Sequence, residues 1–173
     1  MSKPADDAKA TESKVDSGSK RKSVFVDTIF GAKDETKDAK EVAIVTIQNK
    51  SKSDVCQYAG VNEMYFGKVL KEPKDTLLGP GKSHTVFFTS DTEQISGGIK
   101  YDIFKDGDKK ANNTLLMVFS SRKGALKCNT AFSKKTIKGV YSAMEDGNMS
   151  SDKQCSAWTD AGKIYFRWWG DKK

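Results

Sequence analysis

The sequence predicts a mainly β protein, a β-sandwich preceded by a polar N-terminal tail. Three observations carry that expectation. From Val42 onward, short runs rich in β-branched and aromatic residues recur along the chain. Turn chemistry separates them, with Asn49-Lys50-Ser51, Gly79-Pro80-Gly81 and Asp106-Gly107-Asp108 as the clearest reversals. The closing run Lys163 to Trp169 alternates cleanly, with Ile164, Phe166 and Trp168 on one face and Tyr165, Arg167 and Trp169 on the other.

A chain of 173 residues is long enough for one domain with a real core and some tail. Hydrophobic residues make up only 36% and charged residues 31%, so part of the chain should lie outside that core. Residues 1–22 are Lys, Asp, Ser and Ala with almost nothing to bury, and are expected to be disordered. Lys20-Arg21-Lys22 reads there as a solvated basic cluster. In residues 23–41, Val26, Ile29 and Phe30 fall at helical spacing with Phe25 beside them, ahead of a charged run to Glu41. The segment reads as a short amphipathic helix. The sandwich domain is then expected over residues 42–173.

Its strands follow in order. Val42 to Gln48 is apolar and β-branched, as a buried strand should be. Met64 to Leu70 alternates imperfectly, Ser83 to Thr89 follows the Pro80-Gly81 turn, and Ile99 to Phe104 ends at Asp106-Gly107-Asp108. Leu115 to Phe119 comes next, then a looser Lys123 to Lys135 region, then Ile137 to Met144 as a further strand. No internal repeat is visible.

Enzyme chemistry finds no support, and no cofactor or metal is expected. Gly79-Pro80-Gly81-Lys82-Ser83 looks like the end of a phosphate-binding loop, but Thr76 stands where the motif's first glycine belongs. His84 is the only histidine, sits in an alternating strand, and reads as a surface residue rather than part of a triad. The cysteines, Cys56, Cys128 and Cys155, have no metal-ligand spacing and no disulfide framework is expected, although one pair could bridge. Asn49, Asn112 and Asn148 fit the short N-glycosylation pattern.

The chemistry that remains is surface chemistry. The net charge of +7 favours anionic partners. Trp158, Tyr165, Phe166, Trp168 and Trp169 gather near the C-terminus with Lys163, Arg167, Lys172 and Lys173 among them. Rings beside cations suit a membrane interface, and they also suit single-stranded nucleic acid. Phe166 and Trp168 are expected to fill the core, leaving Tyr165 and Trp169 on the opposite face.

Read as a series, Ile47-Gln48-Asn49, Asn62 to Phe66, Pro80-Gly81, Ser96-Gly97-Gly98, Tyr101 to Phe104, Leu115 to Ser120 and Tyr141 to Asn148 resemble the actinoporins. The similarity covers residues 24 to 169. It implies a sandwich flanked by helices, an aromatic cluster for phosphocholine head groups, and an N-terminal helix that inserts to form an oligomeric pore. On this resemblance Ser120, Tyr141, Arg122 and Lys123 contact head groups, and Phe25, Val26, Ile29 and Phe30 insert. The chain also departs from the family pattern. Arg122 replaces a proline, the aromatic loop becomes Lys123 to Phe132 with a single ring, and Glu145-Asp146 stands where a tyrosine pair belongs. The lipid specificity therefore carries over less well than the fold. Fungal fruit-body lectins share this sandwich, and Tyr101-Asp102-Ile103, Asp106-Gly107-Asp108 and Asn129-Thr130 carry a weaker echo of the aegerolysins.

The function expected is that of a membrane-binding, pore-forming protein of divergent actinoporin type. A lectin-like module that binds a glycan without forming pores is the alternative. The partners expected are a lipid membrane and, on the alternative, a glycan, with monomers in solution assembling into a homo-oligomer on the membrane. Nucleic acid is not expected. No secretory leader is visible in the first residues, so the chain is expected either to be secreted or released to act on target membranes, or to be cytoplasmic.

Overall fold

The structure, a computed structural model, describes residues 38–132, 135–147 and 154–170. The described residues form ten strands and one helix. In chain order the strands are β1 (Glu41–Asn49), β2 (Val55–Phe66), β3 (Lys68–Lys71), β4 (Leu77–Leu78) and β5 (Ser83–Ser90). There follow β6 (Gln94–Phe104), β7 (Asn113–Arg122), β8 (Ala125–Phe132), helix α1 (Ile137–Glu145), β9 (Cys155–Asp160) and β10 (Lys163–Trp168). The first sheet runs β3-β5-β1-β10-β9 and the second β4-β2-β6-β7-β8. The expected β-sandwich is the fold observed, and β1 opens at Glu41, one residue before Val42.

Strand alternation builds the core between the sheets. Val45 and Ile47 of β1, Phe88 of β5 and Phe166 and Trp168 of β10 meet Tyr101 of β6 and Met117 and Phe119 of β7. Each of these side chains is at most 1% exposed. Burial on this scale is the main favourable contribution to folding. Within the core the Phe88 and Phe119 rings lie 4.6 Å apart, bridging the sheets. Glu41 is buried at the sandwich edge, where its carboxylate accepts from the Ser121 hydroxyl across the two sheets.

One end of the sandwich is tied by a buried polar knot. Trp168 Nε1 donates to Asp54 Oδ2 at 3.0 Å, and Asn49 Nδ2 donates to the Asp54 and Leu78 carbonyls at 2.7 and 2.9 Å. Ser51 adds a hydroxyl to Asn49 Oδ1. These bonds join β1, β4 and β10 to the loop before β2, and they consume the Asn49 amide inside the protein. Asn49 is fully buried, which removes it as a glycan acceptor.

Several elements differ from the sequence reading. Ile137 to Met144 is a helix, not a strand. Its buried residues Ile137, Val140 and Met144 lie at helical spacing, and Thr136 caps it by accepting from the Gly139 N–H at 3.1 Å. The region from Lys123 contains β8, whose Cys128 enters the core while Asn129 turns to the helix and donates to the Val140 carbonyl. The run from Met64 to Leu70 is split at Gly67, whose φ of 84° and close approach to the Thr89 carbonyl leave no room for a side chain.

His84 is not a surface histidine. It is 8% exposed, and its Nδ1 lies 2.9 Å from the Tyr101 hydroxyl inside the sandwich. Burial holds its pKa below the ordinary histidine value, against an opposing hydrogen bond at Leu77 and the charge of Asp75. The cysteines are all free and buried. Burial pushes the Cys56 thiol up to about 12 and the Cys128 thiol up to about 11, so neither supplies a thiolate near neutral pH.

Candidate functional site

Helix α1 lies on the outer face of the second sheet. Ile137, Val140 and Met144 pack on Leu116, Val118 and Ala131, the outward residues of β7 and β8. Gly98 of β6 makes the approach possible, because a Cβ there would fall 2.3 Å from Ile137 Cγ2. The helix therefore sits directly on the sheet backbone, and its C-terminal end points to one region of that face.

That region is enclosed by a closed series of neighbours. Ser96 of β6 pairs with Ser120 of β7, and Ser120 pairs with Lys127 of β8. Lys127 Nζ lies 3.6 Å from Glu145 Oε2, and Glu145 stands one helical turn beyond Tyr141. The Tyr141 ring meets Tyr65 at 4.4 Å between centroids. Tyr65 returns the circuit to β6, since Met64 and Phe66 on either side of it pair with Gly97 and Ser96. The ladder shifts register between Met64 and Phe66, and this irregularity brings Tyr65 to the helix side of the sheet.

The site has polar and aromatic chemistry in one place. The Tyr65 hydroxyl donates to the Glu63 carboxylate. Loss of solvent, then that hydrogen bond and the nearby charge, push the phenol up to about 12, so it keeps its proton. Ser96 is fully buried, and its Oγ is the one buried side-chain polar atom among the described residues with no hydrogen-bond partner. Such a group costs about 1–3 kcal/mol unless something satisfies it. Ser120, 6% exposed, lies beside it. Arg122 continues the outward row of β7 past Ser120 and is exposed. Lys123 sits in the next turn at φ 50°, with its ammonium 3.4 Å from Glu93.

Of the residues singled out in the sequence, Ser120 and Tyr141 thus share one site, Arg122 lies along the same row, and Lys123 lies beyond it. Phe25, Val26, Ile29 and Phe30 lie outside the described residues. Sequence reasoning missed Tyr65, Ser96 and Lys127. Ser96 and Tyr65 both stood in runs that carried the family resemblance, but nothing in a single sequence marks the irregular register that turns Tyr65 to the helix.

The aromatic C-terminus is organised differently. Trp158 stacks on Tyr165 at 5.2 Å with planes 11° apart. The Arg167 guanidinium lies 4.4 Å from the Trp158 ring and 4.8 Å from Trp169, and its Nε donates to Gln48 Oε1 at 3.1 Å. Trp158 thus meets both a ring and a guanidinium. Those contacts use ring surface that a nucleic-acid base would need for stacking. The stack reads as support for the outer face of the first sheet.

A concavity of about 510 Å³ lies at the other end of α1, with Asn62, Lys100, Asn112, Asn113 and Thr114 among its walls and Leu116 and Ile137 at its base. Among the described residues no group of His, Cys, Asp and Glu could hold a metal ion, and no helix is long and apolar enough to cross a membrane.

No family model matches the chain, and no curated protein matches it. Among solved structures it is similar to the lipid binding protein Nakanori, with a TM-score of 0.53 and 10% identity over 86% of this chain and 76% of that one. It is also similar to the Xerocomus chrysenteron lectin XCL, with a TM-score of 0.36 and 9% identity over 73% of this chain and 97% of that one. At these identities the first likeness speaks to the fold alone, and the second is too weak to carry an argument.

Proposed function

We propose that this protein binds membrane surfaces by taking a lipid head group into the site formed by Tyr65, Tyr141, Ser96 and Ser120. The observation that carries the reading is the orphaned Ser96 hydroxyl inside a closed circuit of polar and aromatic neighbours. A phosphate oxygen is the acceptor that hydroxyl lacks, and tyrosine faces attract the cation of a zwitterionic head group, by about 0.5–2 kcal/mol per good contact. Arg122 lies where it adds charge to a phosphate. The fold shared with Nakanori, described as a lipid-binding protein, is consistent with this use of a sandwich.

Insertion is the second step of the proposal. Phe25, Val26, Ile29 and Phe30 form the apolar face that enters the bilayer once the sandwich has docked, and several copies then assemble into a pore. On this reading the protein acts on target membranes after secretion or release. The steps separate experimentally, by sedimentation with vesicles for docking and dye release for insertion. Replacing Ile29 and Phe30 by aspartate is expected to abolish release while sedimentation persists. Release that survives this change removes the segment from the mechanism. Sedimentation without release by the unmodified protein reduces the function to docking alone.

The glycan reading has one observation of its own, the amide- and hydroxyl-rich concavity near Asn112 and Asn113. Binding to an immobilised glycan with no binding to any vesicle would favour it over the lipid reading.

A further inference from the structure

The head-group reading does not say which cation the site takes, and the charges around it bear on that choice. We infer that the site selects a phosphodiester bearing a primary ammonium, as in an ethanolamine head group, over one bearing a quaternary ammonium. This rests on the head-group reading above.

A quaternary ammonium has no N–H to donate, so ring faces must hold it. This site offers two tyrosines, and each has turned part of its surface to the other at 4.4 Å. What surrounds them instead is acceptor chemistry. Glu145 and Asp146 are exposed at this corner, and Glu63, exposed on the far side of Tyr65, accepts from its hydroxyl. Helix α1 ends there with no basic residue in its last turn, so its terminal carbonyls add negative partial charge. A primary ammonium brings three N–H donors and needs such acceptors.

The protein already shows the arrangement with a group of its own. Lys127 is a primary ammonium, and it rests 3.6 Å from the Glu145 carboxylate. Its side chain is 54% exposed and that of Glu145 42%, so the pair is open to exchange with a ligand. The opposite end of the site is built for the other half of a zwitterion. The unpartnered Ser96 hydroxyl, Ser120 beside it and Arg122 further along β7 are donors for phosphate oxygens. Acidic groups at the helix end and donors at the strand end match the polarity of a phosphoethanolamine.

The test uses the full chain and sedimentation with vesicles of phosphatidylcholine alone, or with phosphatidylethanolamine or phosphatidylglycerol added. Ethanolamine lipid is expected to tighten binding about tenfold over phosphatidylcholine, the effect of one charge-assisted hydrogen bond. Soluble phosphoethanolamine is expected to displace the protein, and phosphocholine is not. The double substitution Glu145→Gln, Asp146→Asn is expected to erase the difference between choline and ethanolamine vesicles, with circular dichroism confirming the fold. Equal or tighter binding to phosphatidylcholine overturns the selectivity and leaves head-group binding standing. Tightest binding to phosphatidylglycerol shows a plain anion site and also overturns it, as does a double variant that keeps the full difference. Binding to none of the vesicles overturns the head-group reading itself.

Discussion

Replacing Tyr65 and Tyr141 together by alanine is expected to weaken binding to lipid vesicles at least about fivefold, given two ring contacts of about 0.5–2 kcal/mol each. The rings are 4.4 Å apart and belong to different elements, β2 and α1, so neither is simply packing its own strand or helix. Tyr65 is 37% exposed, and a core residue would not be. Phenylalanine at both positions is the informative control, because it keeps the ring faces and removes the hydroxyls. If binding survives in the phenylalanine variant and is lost in the alanine variant, the rings do the holding. Unchanged binding in the alanine variant moves the site elsewhere on the molecule.

The second large effect concerns stability. Trp168→Ala is expected to cost about 3–5 kcal/mol, as large aromatic truncations in a packed core do. Trp168 is 1% exposed, its ring lies 4.6 Å from Phe132, and its indole N–H donates to Asp54 in the polar knot. The alanine change therefore opens a cavity and orphans a buried carboxylate together. Trp168→Phe keeps much of the volume and removes the donor, so it isolates the orphaned Asp54, at about 1–3 kcal/mol. Urea unfolding followed by circular dichroism measures both. A phenylalanine variant as unstable as the alanine one would place the cost in the hydrogen bond, and a near-native alanine variant would contradict the packing described here.

The sandwich was legible where side-chain period and burial agree. In β10, Ile164, Phe166 and Trp168 enter the core and Tyr165 and Arg167 leave it, as alternation requires. Legibility failed where tertiary contacts override local signals. Ile137 to Met144 contains the β-branched Ile137 and Val140, which suggest a strand, and Gly139, a poor helix former. The helix forms because its apolar stripe finds Leu116 and Val118, and because Gly98 lets it come close. Thr136 as cap and the spacing of Ile137, Val140 and Met144 were signals available in the sequence. His84 reads in the sequence as a surface residue and is instead buried against Tyr101, seventeen residues away.

The candidate site was half legible. Ser120 and Tyr141 came from the family resemblance, and the structure places both on one circuit. Tyr65 depends on a register irregularity in β2, and Ser96 matters because it is buried without a partner. Neither property is written in residue identity. They arise when β6, β7 and β8 pair and α1 closes over them. The carboxylates of Glu145 and Asp146 stand at the end of α1, one turn from Tyr141, a placement that sequence alone does not give.

The most direct measurement is a residue-resolved NMR titration of the full chain with short-chain phospholipid micelles. Shifts are expected to concentrate at Tyr65, Ser96, Ser120 and Tyr141, with Arg122 and Glu145 at the margin. Shifts centred on Trp158, Arg167 and Trp169, or on Asn112 and Asn113, would contradict a head-group site beneath the C-terminal end of α1.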